Sequence, residues 1–172
     1  MKNTRSIFLL LIIFSLLAAG TLAQTAAELA SIRAEVAAIN KNVKNYQKTV
    51  KDVDGISGEG TEATYYLSGK GLKKISANIY GETFRATVEI YYSGEEPVFA
   101  YQVEKRYDKH IMEKGFKVIS TKEKRFYYSG GELIKVMVGK RTITEGEDYD
   151  REKTEMKELA DKLKAALTGE AR

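Results

Sequence analysis

Thr83 to Tyr107 reads TFRATVEIYYSGEEPVFAYQVEKRY. In its first arm Phe84, Ala86, Val88, Ile90 and Tyr92 fall on one parity, and Thr83, Arg85, Thr87, Glu89 and Tyr91 on the other. Period two is the mark of a strand with one wet face. In the second arm Phe99, Tyr101 and Val103 alternate with Gln102, Glu104 and Arg106. Ser93-Gly94-Glu95-Glu96 supplies the turn, since glycine tolerates the positive φ of tight hairpin loops, and Pro97 stands at the start of the returning strand, where a missing amide donor does least harm. The stretch therefore predicts a β-hairpin whose dry face holds Val88, Ile90, Phe99, Tyr101 and Val103, and whose wet face holds Arg85, Glu89, Tyr91 and Arg106.

The same texture extends in both directions. Thr61 to Leu67, Leu72 to Tyr80, Thr83 to Tyr92, Glu96 to Tyr107, Phe116 to Tyr128 and Glu132 to Val138 read as six strands, most joined by short glycine-bearing turns. Consecutive antiparallel strands need no crossover, so neighbours in sequence are expected to be neighbours in a β-meander spanning 61–138. Asp52 to Thr61, with three glycines, reads as a loop. Asp108 to Gly115 is the longest interruption, with room for a turn of helix ended by Gly115. Lys122-Glu123-Lys124-Arg125 is polar on both parities, as at an edge, a bulge or a stretch projecting beyond the core.

Helical patterns flank this block. Leu29, Ile32, Val36, Ile39, Val43, Tyr46, Val50 and Val53 recur at spacings of three and four, predicting an amphipathic helix within 24–54. Such a seam suits either a coiled-coil homodimer through 29–53 or a helix docked on its own sheet or on the C-terminal helix. Lys41, Lys44, Lys48 and Lys51 would then form a row, read either as a solvated face near a helix C-terminus or as a contact for an anionic polymer or lipid surface. A second helix is expected over 148–168, with Met156, Leu159, Leu163, Ala166 and Leu167 as its stripe. Thr144 and Glu147 have capping-box spacing, and Asp148 or Asp150 could equally be its N-cap. The expected fold is α+β: an antiparallel β-meander of about six strands packed with an N-terminal and a C-terminal helix, 24–172 forming one domain. Ile32, Val36, Ile39, Leu159 and Leu163 are the helices' expected core residues.

Residues 1–23 have the pattern of a signal peptide: Lys2 and Arg5, an apolar run from Ile7 to Ala19, and Thr21-Leu22-Ala23 before Gln24. The pattern predicts an exported protein, periplasmic or secreted. No cysteine follows the apolar run, which argues against a lipoprotein anchor, and no stable membrane anchor is expected after cleavage. Without Lys2 and Arg5, 28 basic against 24 acidic residues become 26 against 24, and the formal charge falls from +4 to +2. That balance speaks against nucleic acid, which wants a concentrated basic face. With no cysteine at all, stability must come from an ordinary core.

Tyr65 begins YYLSGKGLKKI, Tyr91 begins YYSGEEPVFAY, and Arg125 begins RFYYSGGELIKVM. The tyrosine pairs start 26 and then 36 residues apart, so the period is not that of a solenoid. An aromatic strand end, a Ser-Gly turn and an apolar return strand make a hairpin that a meander can use repeatedly. The third segment, Arg125-Phe126-Tyr127-Tyr128-x-x-Gly131-x-Leu133-Ile134, resembles a hairpin motif of uncharacterised exported bacterial β-meander proteins with a "GxLI" return strand. The resemblance implies an envelope location and a meander, with no activity attached.

Little in the sequence points to catalysis. His110 is the single histidine, so a His-pair zinc site is ruled out, and a serine triad would need His110 itself. No serine sits in a G-x-S-x-G elbow. Glu89 and Glu104 have arginine and lysine neighbours that suit surface ion pairs better than paired-carboxylate chemistry. Glu145 to Asp150 lacks the ligand spacing of an EF-hand. Neither a metal nor a cofactor is expected. What stands out is tyrosine: eleven in the chain, nine of them between Tyr65 and Tyr128. Alternation sends Tyr80, Tyr91 and Tyr127 to the polar face beside Arg85, Glu89, Arg106 and Arg125, and amphipathic rings among arginines suit a surface that binds a protein or glycan. The expectation is a non-catalytic exported module recognising an envelope protein or polymer; the alternative is a structural or self-assembling envelope protein using the N-terminal seam.

Overall fold

The computed structural model describes residues 26–69 and 71–169, and the expected signal peptide lies outside the described residues. Helix α1 covers 26–42 and is followed by a 3-10 turn, Val43–Asn45. Eight strands follow: β1 Gln47–Asp52, β2 Thr61–Ser68, β3 Gly71–Tyr80, β4 Phe84–Ser93, β5 Glu96–Tyr107, β6 Val118–Ser129, β7 Glu132–Val138 and β8 Arg141–Ile143. Helix α2, Glu147–Thr168, ends the described chain. The strands form one antiparallel sheet in chain order, so the α+β meander is as expected, with eight strands in place of about six.

The six expected strands are β2 to β7. β1 comes from the second half of what periodicity assigns to the first helix. Asn42 Nδ2 bonds back to the Ala38 carbonyl at 2.9 Å, and by Tyr46 the backbone is extended. Past that point Tyr46, Thr49 and Val50 are residues whose branched or aromatic side chains favour a pleated strand, and β2 offers them a partner. The seam over 29–53 is thus cut at residue 42, and the lysine row with it: Lys48 and Lys51 point to opposite faces of β1. α2 has the expected extent, but its N-cap is Gly146 and no side chain caps it.

Residues opposite each other in register share a face. One row runs Tyr65, Ile75, Ile90, Ala100, Phe126, Val136 and Ile143 across β2 to β8, all buried. α2 lays Met156, Leu163 and Ala166 on this row, making the main core. Polar bonds fix the helix in place. The Tyr65 hydroxyl donates to the Leu163 carbonyl at 2.7 Å, the Tyr149 hydroxyl donates to the Leu133 carbonyl, and Lys51 Nζ donates to the Ala166 and Leu167 carbonyls at 2.7 and 2.9 Å. The last pair occupies helix-end carbonyls that have no partner further along the helix.

The second arm of the opening hairpin is a correction. Phe99, Tyr101 and Val103 lie on the face away from Val88 and Ile90, because the register slips by one residue between Tyr91 and Tyr92. Ser93 pairs with Glu96 and Tyr92 with Pro97, but Tyr91 pairs with Phe99, leaving Val98 as an extra residue. A slip of one residue exchanges the faces of everything beyond it. Ala100 consequently takes the core place opposite Ile90, and Gln102, Glu104 and Arg106 follow it to the α2 side.

The same slip occurs in the two sibling hairpins, leaving Lys73 extra after Tyr66 and Ile134 extra after Tyr127. The shared look of the three segments is therefore one bulged hairpin used three times. Each tyrosine pair straddles the sheet, with Tyr65, Tyr92 and Tyr128 packed in the α2-side core.

Burial gives these rings a measurable signature. Burial pushes the Tyr65 hydroxyl up to about 12 and also raises Tyr92 and Tyr128. A raised tyrosine contributes stability that is complete below its unfolded value of about 10 and is lost as pH climbs through the folded value. Cooperative unfolding is expected between about pH 10 and 12, with tyrosinate absorbance and loss of circular dichroism rising together. Complete tyrosine ionisation near pH 10 with the dichroism intact would refute buried rings.

Candidate functional site

On the face opposite α2, the residues just before each bulge fall into a single row. Lys48, Tyr66, Lys74, Tyr91, Phe99, Tyr127 and Lys135 follow one another across β1 to β7. The lysine Nζ atoms sit over rings: Lys48 and Lys74 at 5.5 and 6.0 Å from the Tyr66 centroid, Lys74 at 4.7 Å from Tyr91, and Lys135 at 5.6 Å from Tyr127. Between them Phe99 lies 5.9 Å from Tyr91 and 5.2 Å from Tyr127. Cation over ring and tilted ring against ring are both attractive arrangements.

α1 crosses the middle of this row and buries Ile32 and Ile39 on it. Where Asn40 meets the sheet, a closed polar cluster forms. Lys74 Nζ donates to Glu89 Oε1 at 2.7 Å and to the Tyr91 hydroxyl at 3.1 Å, with Asn40 Oδ1 at 3.4 Å. The Tyr91 hydroxyl donates to Glu89 Oε2 at 2.7 Å and lies 3.2 Å from Asn40 Oδ1. Burial alone would lower Lys74, yet its bonds to Glu89 and Tyr91 outweigh that and hold the ammonium above its ordinary value. Tyr91 is raised by burial and by its bond to Glu89. Every member has a partner, as a buried polar group requires. Beside the cluster, a cavity of about 350 Å³ between α1 and the sheet is lined by Ile32, Val36, Phe99 and Tyr127 together with Arg33 and Arg125.

The rest of this face is open. Tyr80, Arg85, Lys105 and Thr121 form one cross-strand row, and Asn78, Thr87, Val103 and Glu123 the next. Tyr80, Arg85, Lys105, Asn78, Thr87 and Val103 line a groove of about 530 Å³ that reaches Tyr107. The Arg85 guanidinium lies 5.6 Å over the Tyr80 ring. Among the described residues no carboxylate pairs with Arg85 or Lys105, whereas Arg125 is bonded to Glu123 at 2.8 Å and stacked 5.2 Å over Tyr101.

The seven residues singled out by alternation are thereby divided. Tyr80 and Arg85 stand together on the open part. Glu89, Tyr91 and Tyr127 belong to the part that α1 covers, Tyr91 and Tyr127 being buried. Arg125 lies between the two. Arg106 is a correction: the bulge puts it on the α2 side, where it pairs with Glu104 at 2.7 Å. Lys74 and Lys105 are the partners alternation missed; counting the hairpin register with the bulge included would have placed Lys105 beside Arg85. A further cleft, of about 510 Å³, opens between α2 and the hairpin turns, with Tyr92, Tyr128 and Leu133 below and Glu96, Lys153 and Lys164 around it; nothing in the sequence pattern announces it.

Chemically, the open part offers stacking, cationic hydrogen bonding and a shallow apolar floor. No group of three histidine, cysteine, aspartate or glutamate side chains suited to a metal occurs among the described residues. His110 Nδ1 accepts the Met112 amide at 3.1 Å and so shapes its own loop. Compared with protein-family models, with curated proteins and with solved structures, the chain finds no match.

Proposed function

We propose that this chain is an exported, non-catalytic binding module that recognises an anionic envelope protein or polymer through the open part of the sheet, around Tyr80, Arg85 and Lys105. The observation carrying the reading is the state of the three arginines. Arg106 and Arg125 are engaged with Glu104 and Glu123, while Arg85 is exposed, stacked on Tyr80 and without an acidic partner among the described residues. A guanidinium held flat on a ring is preorganised, losing little freedom when it meets a carboxylate or phosphate. Export rests on the pattern of residues 1–23. The assembly alternative draws no support from α1, whose Ile32 and Ile39 are buried against the chain's own sheet.

The test is affinity capture from a cell-envelope extract on immobilised residues 24–172, with Tyr80→Ala/Arg85→Ala as the comparison. A stoichiometric partner held by the parent and reduced at least about tenfold by the double substitution is expected, since an anchoring Tyr–Arg pair contributes on the order of 2 kcal/mol. Both side chains lie at the surface, so the variant should melt with the parent. Undiminished capture by the variant would remove this surface, and no captured partner would remove the reading.

A further inference from the structure

We infer that the far end of the β5–β6 hairpin, residues 105–122, makes reversible contact with an anionic lipid bilayer. β5 and β6 are the longest strands of the sheet, and β7 pairs only with Lys124 to Ser129, so the hairpin projects past its neighbour on that side. Among the described residues, the projection carries four of the five exposed large hydrophobics: Met112 at 83%, Ile119 at 64%, Val118 at 52% and Phe116 at 40% relative exposure. Isolated exposed apolar residues are ordinary on a folded protein; four within eight positions are a patch.

The charge around that patch is mainly positive. Residues 105–122 include Lys105, Arg106, Lys109, Lys114, Lys117 and Lys122 against Asp108 and Glu113 alone. Both acids are occupied: Asp108 Oδ1 accepts the Lys117 amide at 2.8 Å, and Glu113 lies 3.9 Å from Lys109. Lys105, Lys114, Lys117 and Lys122 have no acidic partner among the described residues. Exposed apolar side chains in a segment rich in lysines without acidic partners match the two layers of an anionic membrane surface, acyl chains below and phosphates above.

The tip is also held in shape. The Tyr107 and Ile111 amides donate to the Thr83 and Glu82 carbonyls, the Asp108 amide donates to the Lys117 carbonyl, and Phe116 packs edge-on against Tyr107 at 5.0 Å. The free edge of β6 is a poor template for a partner strand. Its register breaks where Arg106 pairs with Ser120 and Tyr107 with Val118, leaving Ile119 extra, and a bulge at an edge blocks ladder pairing while leaving the side chain accessible. Among the described residues no helix is long and apolar enough to cross a membrane.

The chain contains no tryptophan, so Phe116→Trp provides a reporter confined to the tip. The experiment uses residues 24–172, which keep all eight strands and both helices and omit the apolar run of residues 7–19, itself able to enter lipid. It is mixed with phosphatidylcholine vesicles with and without phosphatidylglycerol. Expected are a blue shift of the reporter's indole emission and co-sedimentation on the phosphatidylglycerol vesicles, weakening as salt is raised, with little of either on neutral vesicles. Lys114→Glu/Lys117→Glu and Met112→Asp/Ile119→Asp, all at exposed positions, should each lower partitioning about tenfold or more. Tyr80→Ala/Arg85→Ala should leave it unchanged, which separates this surface from the open groove. No binding, equal binding to neutral vesicles, binding without a blue shift, or binding that survives both tip variants would each overturn the inference.

Discussion

Deletion of Gln102 should abolish the folded state, while deletion of Val98 should leave it folded and Val98→Ala should cost no more than about 1 kcal/mol. Val98 is the extra residue of the β4–β5 bulge, and half-buried, so without it Tyr91 still meets Phe99 and Ile90 still meets Ala100. Gln102 is a paired residue, opposite Val88 on β4 and Lys124 on β6. Its loss either shifts every later pair of β5 by one residue or uses up the bulge, which puts Phe99 opposite Ile90 and Tyr101 opposite Val88. Ala100 sits fully buried between Ile90 and Phe126, and no space exists there for a phenyl ring. Either outcome also moves part of β5 out of step with β6. Overpacking alone costs roughly 1–3 kcal/mol per site, and several sites shift together in a domain whose total stability is on the order of 5–15 kcal/mol. Urea denaturation followed by circular dichroism compares the three variants; a cooperative transition in the Gln102 deletion variant near that of the parent would show that pairing does not set the register of β5.

Lys124→Met should destabilise by roughly 3–5 kcal/mol, and Lys124→Met/Glu152→Leu should recover most of that loss. Glu152 lies in α2, 3% exposed, with its carboxylate 2.5 Å from Lys124 Nζ. Lys124 projects from β6 on the α2 side, in the row of Val88, Gln102 and Val138. Glu155, 3.6 Å from the ammonium, is mostly exposed and gives limited support. Truncating the lysine leaves a carboxylate in a site that water does not reach, whereas replacing both ends with apolar groups removes the charge and the need for a partner. The exposed Lys157–Asp161 pair in the same helix is the control, and Lys157→Ala should leave the denaturation midpoint close to that of the parent. Chemical denaturation of the four proteins decides the point; equal losses in the single and double variants would mean that the site tolerates an unpaired Glu152.

Local pattern is silent on both the register of β5 and the surroundings of Lys124. Lys124 belongs to a run that is polar on both parities, which by pattern alone reads as an edge or a projection; in the structure the strand changes character along its length. From Lys124 onward it is covered by α2 and β7, and before that it stands free. Whether a lysine lies in a core or in solvent depends on where a helix distant in sequence comes to rest.

The candidate site divides along the same line. Tyr80 and Arg85 were legible because β3 and β4 run without a register fault between them, so that alternation alone places both on one face. Arg106 was misplaced because a bulge adds a residue without altering the alternation on either side of it. Tyr91 and Tyr127 were assigned to the correct face but not to a covered one, since a period-two pattern distinguishes two sides of a sheet and cannot tell which of them receives a helix.

Taken by itself, the sequence determined the local geometry: period-two runs for β2 to β7, Ser-Gly turns in which Gly94 supplies a φ of 62°, and the stripe of α2, because each depends on residues a few positions apart. Tertiary structure decided what those patterns leave degenerate. The 29–53 periodicity served helix and strand alike until β2 gave Gln47 to Asp52 an edge to pair with, and three-residue β8 exists only because β7 lies beside it. The faces of β5 followed from one unpaired residue, and the cover over Tyr91 from Ile32 and Ile39 finding an aromatic row to bury against. In each case the deciding energy comes from contacts between residues far apart in the chain, which no window of sequence contains.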